Sequence, residues 1–150
     1  MGSVEDLPDT FAVTLGRVLY LGGRVEMLLD RCLAPAGGEP PRRGLSGTRL
    51  VEQLRKIAPR GTRLEQITDG YEALHEWRNH LVHGAHYYAN GTLWTWREPT
   101  SAKGNAAFSY QFNLASLQQT AQAWQNLADA AQDALDQKTD SASASQSERE

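Results

Sequence analysis

All four histidines of this 150-residue chain, His75, His80, His83 and His86, lie within twelve consecutive positions, with Arg78 and Asn79 among them. Histidine is the side chain whose charge changes near physiological pH, so such a cluster beside a fixed guanidinium cation is suited to proton transfer. Successive residues of an α-helix turn by about 100°, which puts Asn79 and His83 on one face and Arg78 about 140° from His83. A single helix therefore does not bring Arg78 to His83. Two copies of it meeting across a two-fold axis would gather two arginines and two histidines around one groove. His83 stands at the expected helix end, where exposed carbonyls favour the imidazolium and Arg78 opposes it, a balance that suits a group taking and giving protons. His80 lies about 60° from His83 in the other sense and is a secondary site residue. His75, one turn before Asn79, is expected to support the site or to sit on the surface.

The element that must carry these residues opens at Thr62 and Glu65, spaced as a capping box in which hydroxyl and carboxylate each satisfy a first-turn backbone N–H. Leu64, Ile67, Tyr71, Leu74, Trp77 and Leu81 then keep the helical period, and Gly84 is placed to close the helix in the left-handed conformation. This is the third of four expected helices. The first enters near Pro8 and runs through Phe11, Val18, Val25, Leu28, Leu29 and Cys32. Gly22 and Gly23 within it cost about 1 kcal/mol each relative to Ala unless another helix packs closely there. Ala34 to Pro41 reads as a loop, and Leu50, Val51, Leu54 and Ile57 as a short second helix ended by Pro59 and Gly61. So short a connection packs the second and third helices antiparallel.

Beyond Gly84 the period changes to two. Tyr87-Tyr88, the Asn90-Gly91 turn and Leu93 to Trp96 predict a hairpin, extended to a meander by Phe108, Tyr110 and Phe112. Asn113 then caps a fourth helix through Leu117, Trp124, Ala131 and Leu135. The expected fold class is mainly α: a four-helix up-and-down bundle with a small antiparallel insert between helices three and four. The folded domain is expected over residues 8–137, between a flexible N-terminus, 1–7, and a disordered tail, 138–150, whose Ser, Ala and charged residues do not offset their ordering entropy.

A net charge of −3 conceals a local excess of cations, because seven basic residues between Arg42 and Arg63 face the single acid Glu52. Arg49, Arg55, Lys56, Arg60 and Arg63 are therefore candidates for an RNA phosphate backbone; a solvated helix face is the plainer reading. No apolar run approaches the ~20 residues of a membrane span, and the first residues lack a secretory signal, so a cytoplasmic protein is expected. Cys32, the only cysteine, fits a buried apolar position.

The segment Trp77-Arg78-Asn79-His80-Leu81-Val82-His83-Gly84 resembles the motif of the HEPN superfamily (higher eukaryote and prokaryote nucleotide-binding): an Arg, a polar residue, a short spacer and a His, closing the third helix of a four- or five-helix bundle. Many of these proteins are metal-independent endoribonucleases that act as dimers. The resemblance implies that His83 assists attack of the ribose 2′-hydroxyl or protonates the leaving 5′-oxygen, that Arg78 binds the phosphate, and that Asn79 orients groups in the pocket. RNA, a second copy of the chain, and an antitoxin or other partner protein are the partners it implies. Cofactors are not expected. In toxins silenced by nucleotidylation a Tyr follows the His by two positions; here Ala85 stands there and Tyr87 is displaced. Other members of the superfamily are RNA-binding or assembly modules without catalysis.

Three other readings compete. Arg78 and Asn79 would also suit a buried polar network that joins helices. His80, His83 and His86, spaced by three, would suit a metal site, but the zincin pattern needs a histidine where Asn79 stands and Arg78 would repel the ion. Tyr88, Trp94 and Trp96 offer a surface that would stack on unpaired bases, with packing against the bundle the plainer use. No Gly-rich phosphate loop, Gly-x-Ser-x-Gly elbow or Cys pair is present.

Overall fold

A computed structural model describes residues 5–34, 45–97 and 108–148. Helix α1 spans Asp9–Leu33, α2 Gly47–Ile57, α3 Arg63–His83 and α4 Leu114–Ser147; strands β1 (Ala85–Ala89), β2 (Thr92–Arg97) and β3 (Phe108–Phe112) stand between α3 and α4. The periodic stripes become the core. Val18, Val25, Leu28 and Leu29 of α1, Leu50 and Leu54 of α2, Tyr71 of α3, and Leu117, Trp124 and Ala131 of α4 are fully or nearly fully buried. The most extensive helix pairing is that of α1 with α4.

The expected loop from Ala34 to Pro41 lies, from residue 35 on, outside the described residues. Cys32 is a free, buried cysteine. The glycine pair of α1 divides in two. Gly22 is buried against Arg78, whose Cδ would lie 2.5 Å from an added Cβ, whereas nothing lies within 4 Å of one at Gly23. Close packing therefore explains the first glycine and not the second.

The sheet is a plain meander, β1-β2-β3, with every pairing antiparallel. Its tight turn uses Asn90 and Gly91, both at positive φ, as the sequence predicts. Leu93, Thr95 and Phe112 are buried on its inner face, and Tyr88 packs edge-on against Phe11 of α1.

Several expectations are corrected. The capping box is half formed: Thr62 Oγ1 accepts from the Glu65 N–H, but the Glu65 carboxylate accepts from the Gly61 N–H (2.6 Å), because the Thr62 N–H is engaged by Pro59 O. Gly84 is extended, at φ −77°, and not left-handed. Glycine suits this position for room, since an added Cβ would come within 2.5 Å of His80 O and 3.1 Å of Trp96 O. At the N-terminus, where flexibility was expected, the Glu5 N–H donates to Tyr88 O (3.1 Å) and Leu7 packs against the core; residues 1–4 lie outside the described residues.

The expected disordered tail is helical through Ser147. Residues 138–147 continue an already nucleated helix, for which each added residue gains a hydrogen bond without a new nucleation cost. Lys138 also donates to Cys32 O (2.7 Å) at the end of α1, and the Thr139, Ser141 and Ser143 hydroxyls donate to carbonyls one turn back.

Candidate active site

The segment from His75 to His83 occupies the last turns of α3, and its side chains leave the helix in different directions. Arg78 turns inward. It makes an ion pair with Glu26 of α1, with side-chain exposures of 20% and 14%. The same Glu26 oxygen accepts from the Tyr71 hydroxyl (2.8 Å), and that hydroxyl accepts from the Gly47 N–H (2.8 Å) at the start of α2. Burial first, and the Glu26 carboxylate second, push the Tyr71 phenol well above its ordinary range, so it stays a donor. One chain of polar contacts thus joins three helices. Arg78 Nε is buried with no hydrogen-bond partner among the described residues.

Three of the four histidines are held by packing or hydrogen bonds. His75 is buried, stacked on Tyr71, with Nδ1 2.9 Å from Glu72 O and Nε2 3.2 Å from the Glu76 carboxylate. His80 is buried with its ring edge-to-face on Tyr110, 4.3 Å between centroids; burial first, then the Arg97 charge, lower its pKa, and Glu76 opposes them. His86 turns back to Leu81 O (3.0 Å). His83 is exposed and makes no hydrogen bond or ion pair among the described residues; half-buried Asn79 lies one turn before it.

The geometry therefore places Asn79 and His83 on one side of α3 and commits Arg78 to another. Within one chain Arg78 and His83 are not brought together. His75 and His80, the secondary candidates, belong to the packed interior. No group of three or more His, Cys, Asp or Glu side chains among the described residues is arranged to hold a metal ion. His80 and His86 are directed to different partners, so the spacing by three does not converge.

The basic candidates also divide. Arg55 pairs with Asp69 (2.9 Å) and with Glu72, and Arg63 with Asp133 (3.3 Å). Arg49, Lys56 and Arg60 are exposed and form no ion pair among the described residues; Arg42 and Arg43 lie outside them. On the sheet, Tyr88 faces inward and packs against the bundle, the use favoured over base stacking, while Tyr87 stacks in parallel on Trp94 (5.7 Å, 3°) and Trp96 is 43% exposed.

Glu26 and Tyr71 are the residues that sequence reading missed as neighbours of Arg78. A signal existed for Glu26, an acid set among Val25, Met27, Leu28 and Leu29. Tyr71 was indistinguishable from an ordinary apolar position of α3. No helix among the described residues is long and apolar enough to cross a membrane. Comparison with models of known families, with curated proteins and with solved structures finds no match to this chain.

Proposed function

We propose that the chain is a HEPN-type endoribonuclease that acts as a homodimer and cuts RNA without a metal ion. The observation that carries this reading is that His83 is exposed and uncommitted: His75 and His80 are buried, His86 is exposed but bonded to Leu81 O, and the one at the end of α3, one turn beyond Asn79, is left to solvent with no hydrogen bond or ion pair among the described residues. An exposed imidazole there can take the ribose 2′-hydroxyl proton as that oxygen attacks phosphorus, and can return a proton to the leaving 5′-oxygen. The products carry a 2′,3′-cyclic phosphate, and DNA, which lacks the 2′-hydroxyl, is not cut by this route. Arg49, Lys56 and Arg60 meet the phosphate backbone. For Arg78 to touch a phosphate it must exchange the Glu26 carboxylate for a phosphate oxygen, one anion for another, at a place where Tyr71 also offers a donor.

The Arg78–Glu26–Tyr71 network favours a second reading, a non-catalytic RNA-binding or protein-interaction module, because those residues already have an architectural use. Incubation with single-stranded RNA in excess chelator separates the two. Cleavage that leaves cyclic phosphate ends and is lost in His83→Ala supports the enzyme. Binding without cutting transfers the chain to the second reading, and cleavage abolished by chelator rejects metal independence.

A further inference from the structure

Strand β1 begins just beyond His83 and Gly84, so its pairing with β2 fixes what stands beside the end of α3. Ala85 pairs with Trp96 and His86 with Thr95, and the same register sets Gly84 level with Arg97. The backbones are close there: Gly84 is extended, and a Cβ added to it would lie 3.1 Å from Trp96 O. Side chains alternate across a sheet, which puts Arg97 on the side of buried Thr95 and of His86, the side turned to the bundle. That side overlies the last turn of α3, because His86 Nε2 lies 3.0 Å from Leu81 O. The Arg97 charge is also felt at the His80 ring, and His83 neighbours His80 on the helix surface, three positions on.

Arg97 is half-buried, and its guanidinium forms no ion pair or hydrogen bond among the described residues. The stretch from Trp77 to Arg97 contains no Asp or Glu, in a chain that holds 18. Glu76, before it, lies 3.2 Å from His75 Nε2, and Glu98, after it, lies outside the described residues. A guanidinium held partly out of water without a carboxylate is a place for an anion. We propose that Arg97 binds the phosphate of the RNA strand that His83 cleaves, so that phosphate binding and proton transfer meet within one chain at the junction of α3 and the sheet. The proposal rests on the nuclease reading for the reaction and supplies the cation that Arg78, paired with Glu26, withholds. A guanidinium fork takes two phosphate oxygens at once, and its fixed charge offsets the charge that builds on them as the 2′-oxygen attacks.

The test compares the full chain with Arg97→Ala and Arg97→Lys. Cleavage is followed on single-stranded RNA, and binding on the same strand carrying 2′-O-methyl groups, which this route does not cut. Arg97→Ala should lower kcat/KM about 10²-fold with the melting temperature unchanged, and Arg97→Lys, which keeps the charge without the fork, should recover part of the loss. On the methylated strand Arg97→Ala should reduce the slope of log affinity against log salt by about one, the mark of one lost phosphate contact. An unchanged slope overturns the proposal, and so does a loss of cleavage matched by a fall in melting temperature, which would make Arg97 structural. The two readings fail separately. A methylated strand bound with the expected dependence on Arg97, beside RNA that is never cut, removes the nuclease and leaves the phosphate contact. Cleavage as fast in Arg97→Ala as in the wild type does the reverse.

Discussion

Arg78 and His83 stand five positions apart on one helix and meet opposite environments. Arg78 is drawn into the bundle, paired with Glu26 and packed on Gly22, while His83 projects into solvent. Charge explains the difference. A guanidinium cannot shed its proton, so burying it requires a carboxylate close by, and α1 supplies one. An imidazole at a helix end keeps water on one side and needs no partner. Substitution at Arg78 should therefore be read first in stability, and substitution at His83 first in chemistry.

The largest expected effect tests the exposed half. His83→Ala should lower RNA cleavage about 10²–10⁴-fold while changing stability by less than about 0.5 kcal/mol, read by product analysis beside thermal unfolding. A comparable loss of stability would erase the contrast. The buried half comes next. Arg78→Ala leaves Glu26 uncompensated and should cost about 3 kcal/mol, a fall in melting temperature of about 6–12 °C. Removing Glu26 as well should cost less than the two single losses added together, because the second substitution no longer strands a charge.

The neighbouring glycines sharpen the same comparison at smaller scale. Gly22→Ala drives a methyl into the Arg78 side chain and should cost about 1–3 kcal/mol. Gly23→Ala meets nothing and should stabilise the isolated chain by about 0.5–1 kcal/mol, measured by denaturant unfolding at concentrations too low for association. Equal effects at the two positions would contradict the packing of Arg78 on α1.

The smallest effect concerns His80. Its folded pKa lies below the ordinary histidine value, so the neutral ring is the form the fold prefers. The stability it contributes is fully present above about pH 6.5 and is lost as pH falls from there through the lowered value, with a slope of at most about 1.4 kcal/mol per pH unit. His80→Phe, which keeps a ring against Tyr110, should flatten the stability profile on that acid side. An unchanged slope would assign the acid sensitivity to another group.

Much of the architecture was legible in the sequence because its signals are local. The four helical stripes, the Asn90-Gly91 turn, the third strand and the Asn113 cap follow from side-chain periods and backbone preferences within a few residues. Of the candidate residues, the placement of Arg78, Asn79 and His83 on the last turns of α3 was legible, and the angular separation of Arg78 from His83 follows from helix geometry alone. The tail was misread because composition measures what a segment can bury and not whether a helix already formed will run on through it. Gly84 was misread because the chain passes from α3 at His83 directly into β1 at Ala85, which takes the linking residue into the extended conformation.

What only the tertiary structure decided is where the charges go. Nothing near Arg78 in sequence shows that its partner is Glu26, 52 positions earlier, or that Tyr71 and the Gly47 N–H complete the chain of contacts. Nor does the two-residue period of the sheet say whether Tyr87 or Tyr88 faces the bundle. The physical reason is the same in both cases. Period and propensity act over one or two turns of chain, whereas the partner of a buried charge and the inner face of a sheet are set when distant elements pack and each polar group must find its complement.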